Sequence, residues 1–470
     1  MDRRKFFKYG SLATVGATML SPIEIFGKEV DFINKGGTAK NIIMLISDGM
    51  STGTLNMADL YLNRKTGKGS NWMQLYKDNR VSRALMDTAS ASSIVTDSAA
   101  ASSAFGGGFR VKNGSLNISP EGKPNMPIWQ KFKKAGKKAG CVTTVTITHA
   151  TPAGFCVCND SRNSQPEIAE EYLKQGFDVL LGGGDQYFNS EKREDKKNVY
   201  KDYENKGYKV VKSRNQLQNA PDNKPLLGVF DHDALPYTVD RNSSKELQEQ
   251  MPTLAEMAQK AIDCMKSNPK GFVLQIEGGK VDWAAHANDI SGLIYDQVAF
   301  DEAVKVAIDF AEKDKNTLVI ITTDHGNANP GVIYGKNAND GFDSIQNYTH
   351  TNEYLLNQIH AEDSTSKIKD LIQQVNGISL TDEDATHIQS YYSGLEKGEE
   401  GLYNYKKLPF KTYSEIQRKY NSVGWISMDH SADYVELAMF GPGSENLKPF
   451  IKNTDIHYLM LESAGVENKF

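Results

Sequence analysis

Cysteine is scarce: four in 470 residues, at Cys141, Cys156, Cys158 and Cys264. Four is too few for a disulfide scaffold, and Cys156 and Cys158, one residue apart, form neither a Cys-x-x-Cys redox motif nor a zinc ribbon. They read as core or free thiols; if all four paired, three connectivities would be open. A basic excess is missing too. Lys and Arg number 54 against 59 Asp and Glu, a formal net charge of -5, which leaves no basic face for nucleic acid. Beyond the N-terminus there is no long apolar run, so no membrane span is expected other than a signal segment that stays uncleaved. No internal repeat and no low-complexity tract is present.

What is there suits a globular protein, with 39% hydrophobic and 24% charged residues. At its start, Arg3-Arg4 precedes Phe6-Phe7 and a mildly apolar run from Gly10 to Leu20. This resembles a twin-arginine export signal, so residues 1–27 are set apart from the fold and the mature protein is expected in the periplasm or outside the cell. Residues 28–470 are expected to form one domain.

That domain reads as strands alternating with helices. Asn41 to Ser47, Gly140 to Thr148, Asp178 to Leu181, Gly271 to Ile276, Thr317 to Thr323 and Val435 to Phe440 are short and nearly all apolar. Such runs mark strands covered on both faces. Pro127 to Lys138, Glu167 to Gln175, Thr253 to Lys266 and Asp296 to Lys313 carry helical periodicity. The pattern implies an α/β fold: a doubly wound, mostly parallel central sheet with helices on both faces. Residues 189–223 read as an irregular surface excursion. Residues 331–423 read as an irregular insertion beside the site, with one helix around Ile368 to Val375.

Three strands end in an acid, at Asp48, Glu277 and Asp324. In open α/β sheets the carboxyl edge is where ligands bind. His149, His286, His325 and His430 fall near such ends, and Asp282 and His286, four apart on a helix, share one face and can hold one ion. Mixed Asp and His ligation suits zinc, whereas an all-oxygen site suits magnesium. Ile94 to Gly108 adds a β-branched lead-in, Thr96-Asp97-Ser98 and an alanine-rich run. A helix beginning at Asp97-Ser98 places a hydroxyl where free N–H groups and the helix dipole favour phosphate, although the same residues also serve as an ordinary N-cap.

Taken together, Asp48-Gly49-Met50, Thr96-Asp97-Ser98-Ala99-Ala100, Thr151-Pro152-Ala153, Glu277-Gly278-Gly279 with Asp282 and His286, Thr323-Asp324-His325 and His430-Ser431 resemble the motifs of the bacterial and animal alkaline phosphatases. The resemblance runs in order from about residue 41 to residue 443, interrupted by the insertion, which would correspond to a crown-like segment. It implies hydrolysis of phosphate monoesters through a phosphoserine at Ser98, releasing inorganic phosphate. It implies one zinc ion on Asp282, His286 and His430, a second on Asp48, Asp324 and His325, and a third ion, usually magnesium, on Asp48, Thr151 and Glu277. Arg162 occupies the place of the phosphate-clamping arginine, with Arg110 in reserve. A homodimer is the candidate assembly. Three departures matter, one being that the insertion differs in composition from a crown segment of the family. His149 stands where many bacterial members have aspartate, and its nitrogen would let the third site accept zinc or cobalt as well as magnesium. Trp283 stands where they have lysine, and its bulk is expected to pack against His149. Two rival readings are a phosphodiesterase of the same superfamily, against which Arg162 argues, and a non-catalytic phosphate-binding protein, which would not need both Ser98 and a full ligand set.

Overall fold

The computed structural model describes residues 39–398 and 401–468. The export segment expected at 1–27 lies outside the described residues. Ten strands form one sheet: β1 (Asn41–Ile46), β2 (Ser82–Asp87), β3 (Lys138–Thr146), β4 (Val179–Gly183), β5 (Lys209–Val211), β6 (Leu226–Val229), β7 (Phe272–Glu277), β8 (Thr317–Thr322) and, after two short ribbons, β13 (Val435–Phe440) and β14 (Phe450–Lys452). The ribbons join β9 (Gly326–Asn327) to β12 (His430–Ser431) and β10 (Gly331–Val332) to β11 (Val423–Gly424). The sheet order is β14-β2-β13-β8-β1-β7-β3-β4-β6-β5. Only β13 runs antiparallel to its neighbours, β2 and β8.

β1 sits near the middle, and each of its six residues is buried. One face, through Ile43 and Leu45, joins a core with the helices Leu254–Met265, Ile290–Asp314 and Thr52–Thr66. The alternate residues Ile42, Met44 and Ile46 are equally buried and point the other way. On β3, the helices Ile128–Lys134 and Ala150–Cys156 pack as well. No helix among the described residues is long and apolar enough to cross a membrane. All four cysteines are free, and the Sγ atoms of Cys141 and Cys156 lie 3.6 Å apart.

Two segments differ from the sequence reading. Residues 189–223 are not an irregular excursion; they hold the helices Val199–Asn205 and Arg214–Gln218 and edge strand β5. Residues 331–423 are not irregular either. They contain the helices Ala338–Ser344, Asn352–Asn357, Thr365–Asn376, Asp382–Ser390 and Phe410–Asn421. The reason is local. Thr351, Ser364 and Thr381 each accept a hydrogen bond from the backbone N–H of the third residue of the helix that follows, and such caps start short helices that bury few apolar side chains each. The ribbon of β10 and β11 closes the base of this segment.

Candidate metal centre

Parallel register explains why distant acids meet. Ile46 of β1 pairs with Glu277 of β7 and with Thr322 of β8. Asp48, Glu277 and Asp324 therefore emerge side by side at one sheet edge, all fully buried. The turn after β1 admits no side chain at residue 49. Gly49 has φ +66°, and a Cβ there would lie 2.3 Å from Asp282 Oδ1. Its N–H donates to Asp324 Oδ1 at 3.1 Å, which ties the first acid's turn to the third's.

Among the described residues, three groups of side chains could each hold a cation. The first joins Asp282, His286 and His430. His286 Nε2 is 3.4 Å from Asp282 Oδ2, and His430 Nε2 is 3.5 Å from Asp282 Oδ1. Both rings have their other nitrogen engaged: Nδ1 of His286 donates to Met428 O at 2.7 Å, and Nδ1 of His430 donates to Thr96 O at 2.9 Å. This leaves Nε2 of each ring on the side of the carboxylate, as the nitrogen that a metal ion would take. Asn327 Nδ2 steadies Asp282 Oδ1 at 2.7 Å. The β9–β12 ribbon sets His430 opposite Asn327 and stacks its ring on His325, with centroids 3.7 Å apart.

The second group joins Asp48, Asp282 and His325. The sequence reading put Asp324 in this set rather than Asp282. Asp324 is also close, with Oδ2 3.4 Å from His325 Nε2, beside Asp48 Oδ1 at 3.6 Å. Asp282 thus stands between two groups. The third joins Asp48, His149 and Glu277, with His149 Nδ1 3.9 Å from Glu277 Oε1 and Thr151 Oγ1 donating to Asp48 Oδ2 at 3.4 Å.

The electrostatics of these groups call for cations. Asp48 Oδ1, Asp324 Oδ2 and both carboxyl oxygens of Glu277 are buried with no hydrogen-bond partner, as is His149 Nδ1. Burying unpaired acceptors is costly, and a divalent ion satisfies several at once. Burial, then Asp324, Asp282 and Glu277, push Asp48 well above the ordinary carboxylate range. Burial lifts Glu277 to about 7 and, with Arg162, drives His149 down to about 3. Burial opposes charge on Asp282, but His286 and His430 hold it well below the usual range. Burial likewise opposes charge on His286, yet Asp282 outweighs it and raises that ring to about 9.

Ser98 opens the helix Ser98–Gly107, as its sequence implied, but it does not cap it. Asp97 does: Oδ1 accepts from Ala100 N at 2.9 Å, and Oδ2 accepts from Gly114 N at 2.9 Å and from Arg162 at 3.0 Å. Ser98 is 2% exposed, and its hydroxyl instead lies 3.3 Å from His325 Nε2. Small residues let this helix seat against Ala150–Cys156, the helix led by His149: a Cβ on Gly106 would lie 1.9 Å from Gly154 O, and Ser102 Oγ donates to Ala150 O at 2.9 Å. Arg162 reaches both helices, with its second nitrogen 3.1 Å from His149 Nε2. Arg110, held in reserve, is elsewhere, paired with Asp87 at the end of β2 at 2.8 Å. Trp283 meets His149 edge-on, with ring centroids 6.3 Å apart. The supporting groups Asn327, Met428 O and Thr96 O escaped the sequence reading. A backbone carbonyl carries no sequence signal, and Asn327 could have been noticed only as a polar neighbour of Asp324-His325.

The family model for alkaline phosphatase matches residues 39–466. Alkaline phosphatase 4 of Bacillus subtilis (strain 168) is 31% identical over 424 residues, covering 88% of this chain and 87% of that protein. The alkaline phosphatase of Escherichia coli (strain K12) is 32% identical over 367 residues, covering 67% of this chain and 78% of that protein. The crystal structure of Thermus thermophilus alkaline phosphatase superposes with a TM-score of 0.83 at 32% identity, over 92% of each chain.

Proposed function

The chain belongs to the alkaline phosphatase family, and from that premise we propose that it hydrolyses phosphate monoesters to inorganic phosphate, with Ser98 as nucleophile, two zinc ions and a third ion. The observation that supports this most is the Ser98 hydroxyl, buried 3.3 Å from His325 Nε2 among carboxylate oxygens that have no partner. The donor set fits cations: Asp282, His286 and His430 for one zinc, Asp48, Asp324 and His325 for the other, and Asp48, Glu277, Thr151 and His149 for the third. Divalent ions held there supply the positive charge that stabilises a serine alkoxide and a departing oxygen and makes water reactive.

The residues of the chain do the rest. Ser98 Oγ attacks phosphorus; the Oγ–P bond forms as the bond to the leaving oxygen breaks, and the proton that Ser98 gives up ends on the leaving alcohol. Water then attacks the phosphoserine, the Oγ–P bond breaks, and Ser98 Oγ takes up a proton from that water as hydrogen phosphate departs. The start of the Ser98–Gly107 helix favours the phosphate charge. Arg162, held by Asp97 at 3.0 Å, offers a planar fork to phosphate oxygens. His149 gives the third group a nitrogen, which admits zinc or cobalt beside magnesium. Arg3-Arg4 ahead of Phe6-Phe7 supports export to the periplasm or beyond.

The test strips the protein of metal, reloads it with zinc alone, then with magnesium or cobalt added, and assays p-nitrophenyl phosphate against bis-p-nitrophenyl phosphate. Zinc should restore monoester hydrolysis, with either second metal raising it further. Preference for the diester, or phosphate binding without turnover, would contradict the reading.

A further inference from the structure

Lys280 opens the helix Lys280–His286, two residues before Asp282, and no step above uses it. It is 6% exposed, deep for a lysine. Its backbone N–H donates to Thr144 Oγ1 at 3.1 Å, which pins the helix start to the end of β3. Its ammonium lies between two aromatic faces, 3.7 Å from the Tyr237 ring centroid and 4.7 Å from that of Trp283. Burial pushes it below the ordinary lysine range, against the pull of Glu353, Asp296, Asp240 and Asp233. Among the described residues, however, its Nζ makes no ion pair and no hydrogen bond. Asp296 and Asp240 are engaged by the start of another helix and by the insertion: Asp296 accepts from Thr238 N and Asp240 from Thr351 N. The two rings therefore fix where the ammonium sits, and a desolvated ammonium in turn fixes the rings.

From Trp283 a line of contacts runs to the nucleophile. Trp283 meets His149 edge-on at 6.3 Å and 74°. His149 Nε2 is 3.1 Å from one guanidinium nitrogen of Arg162. The other guanidinium nitrogen is 3.0 Å from Asp97, whose carboxylate caps the helix that Ser98 begins. We propose that Lys280 is a positioning residue for the phosphate clamp: clasped by Tyr237, it holds Trp283 against His149 and so sets the pose in which Arg162 meets phosphate. The inference rests on the reading that Arg162 grips phosphate.

The experiment compares Lys280→Met, Lys280→Arg and Arg162→Ala, and adds Lys280→Met in the Arg162→Ala background, all as metal-loaded full-length protein. Phosphate binding is read by calorimetry and by competitive inhibition, alongside kcat, KM and thermal unfolding. Lys280→Met should weaken phosphate binding and raise KM about fivefold with kcat within about twofold, the loss expected when one desolvated cation–π contact that orients a binding group is removed. Lys280→Arg, which keeps a cation between the rings, should stay near wild type. In the Arg162→Ala background the methionine should add nothing. If Lys280→Met leaves phosphate affinity intact while Arg162→Ala weakens it, the inference falls and the clamp stands. If Arg162→Ala itself changes nothing, the clamp reading falls first. A methionine effect that persists in full without Arg162, or an equal loss in the arginine variant, also overturns the role. Should Lys280→Met fail to fold, Trp283→Leu removes the intermediate ring and carries the same expected loss of phosphate affinity.

Discussion

Serines at the starts of two helices, Ser364 and Ser98, are used in opposite ways. In the insertion, Ser364 precedes Thr365–Asn376, and its Oγ accepts from Lys367 N at 3.2 Å. At the sheet edge, Asp97 performs that task for Ser98–Gly107, so the Ser98 Oγ is left to face His325. The surroundings differ in the same sense. In the insertion the buried polar groups are largely satisfied within the fold; Asn352 and Gln417, for example, exchange hydrogen bonds at 3.0 and 2.9 Å. At the sheet edge, Asp48, Glu277 and Asp324 each bury an oxygen without a partner. A satisfied region holds the chain together. A region of unmet acceptors is what ion and substrate binding require, and it weakens the protein until they bind.

Substitutions at the two serines should separate these roles. Ser98→Ala should lower turnover at least about a thousandfold, because the attacking oxygen is gone, while zinc content by elemental analysis stays unchanged. Near-normal turnover would make the two serines alike after all. Arg162→Ala should cost roughly 1.5–3 kcal/mol of phosphate affinity, the worth of a charge-assisted forked contact. Competitive inhibition by phosphate measures it, and an unchanged inhibition constant would move the clamp elsewhere. Ser364→Ala should leave kcat and KM alone and lower stability by about 1 kcal/mol, read by chemical denaturation of the metal-loaded protein. Lost activity at preserved stability would place the insertion in the chemistry.

The subtlest effect concerns the seam between the two regions, where Asp240 accepts from Thr351 N at 2.9 Å. Burial raises Asp240 from 3.8 to about 7, so the folded state holds this proton more tightly than the unfolded chain. Its contribution to stability is whole below about pH 4 and is lost as pH rises through about 7. Asp240→Asn, which cannot ionise, should therefore gain on wild type between pH 5 and pH 8 in thermal unfolding. A gap that stays constant across that range would contradict this.

The sheet edge was legible because its signals are local and repeated. β1, β7 and β8 are apolar runs closed by an acid, and Asp282 and His286 share a helix face by spacing alone. β2 was not seen, since Ser82–Asp87 alternates exposed and buried positions, one strand in from the sheet's edge. The insertion was misread because its core is aromatic and polar: Tyr392 and Tyr413 are fully buried, with hydroxyls donating to Leu356 O and Asn376 Oδ1. Tyr413 belongs to the buried face of the helix Phe410–Asn421, and a tyrosine there does not stand out as apolar periodicity. Its caps, Thr351, Ser364 and Thr381, were visible in the sequence and should have outweighed composition.

In the proposed reaction Ser98, freed from capping, carries the phosphate. The most direct measurement reacts the metal-loaded enzyme with a phosphate monoester bearing labelled phosphorus, quenches rapidly in acid, and maps the labelled peptide by mass spectrometry. Label on Ser98, absent from Ser98→Ala, is the expected result. Label on Ser102 or Ser103 of the same helix, or steady turnover with no labelled serine, would contradict it.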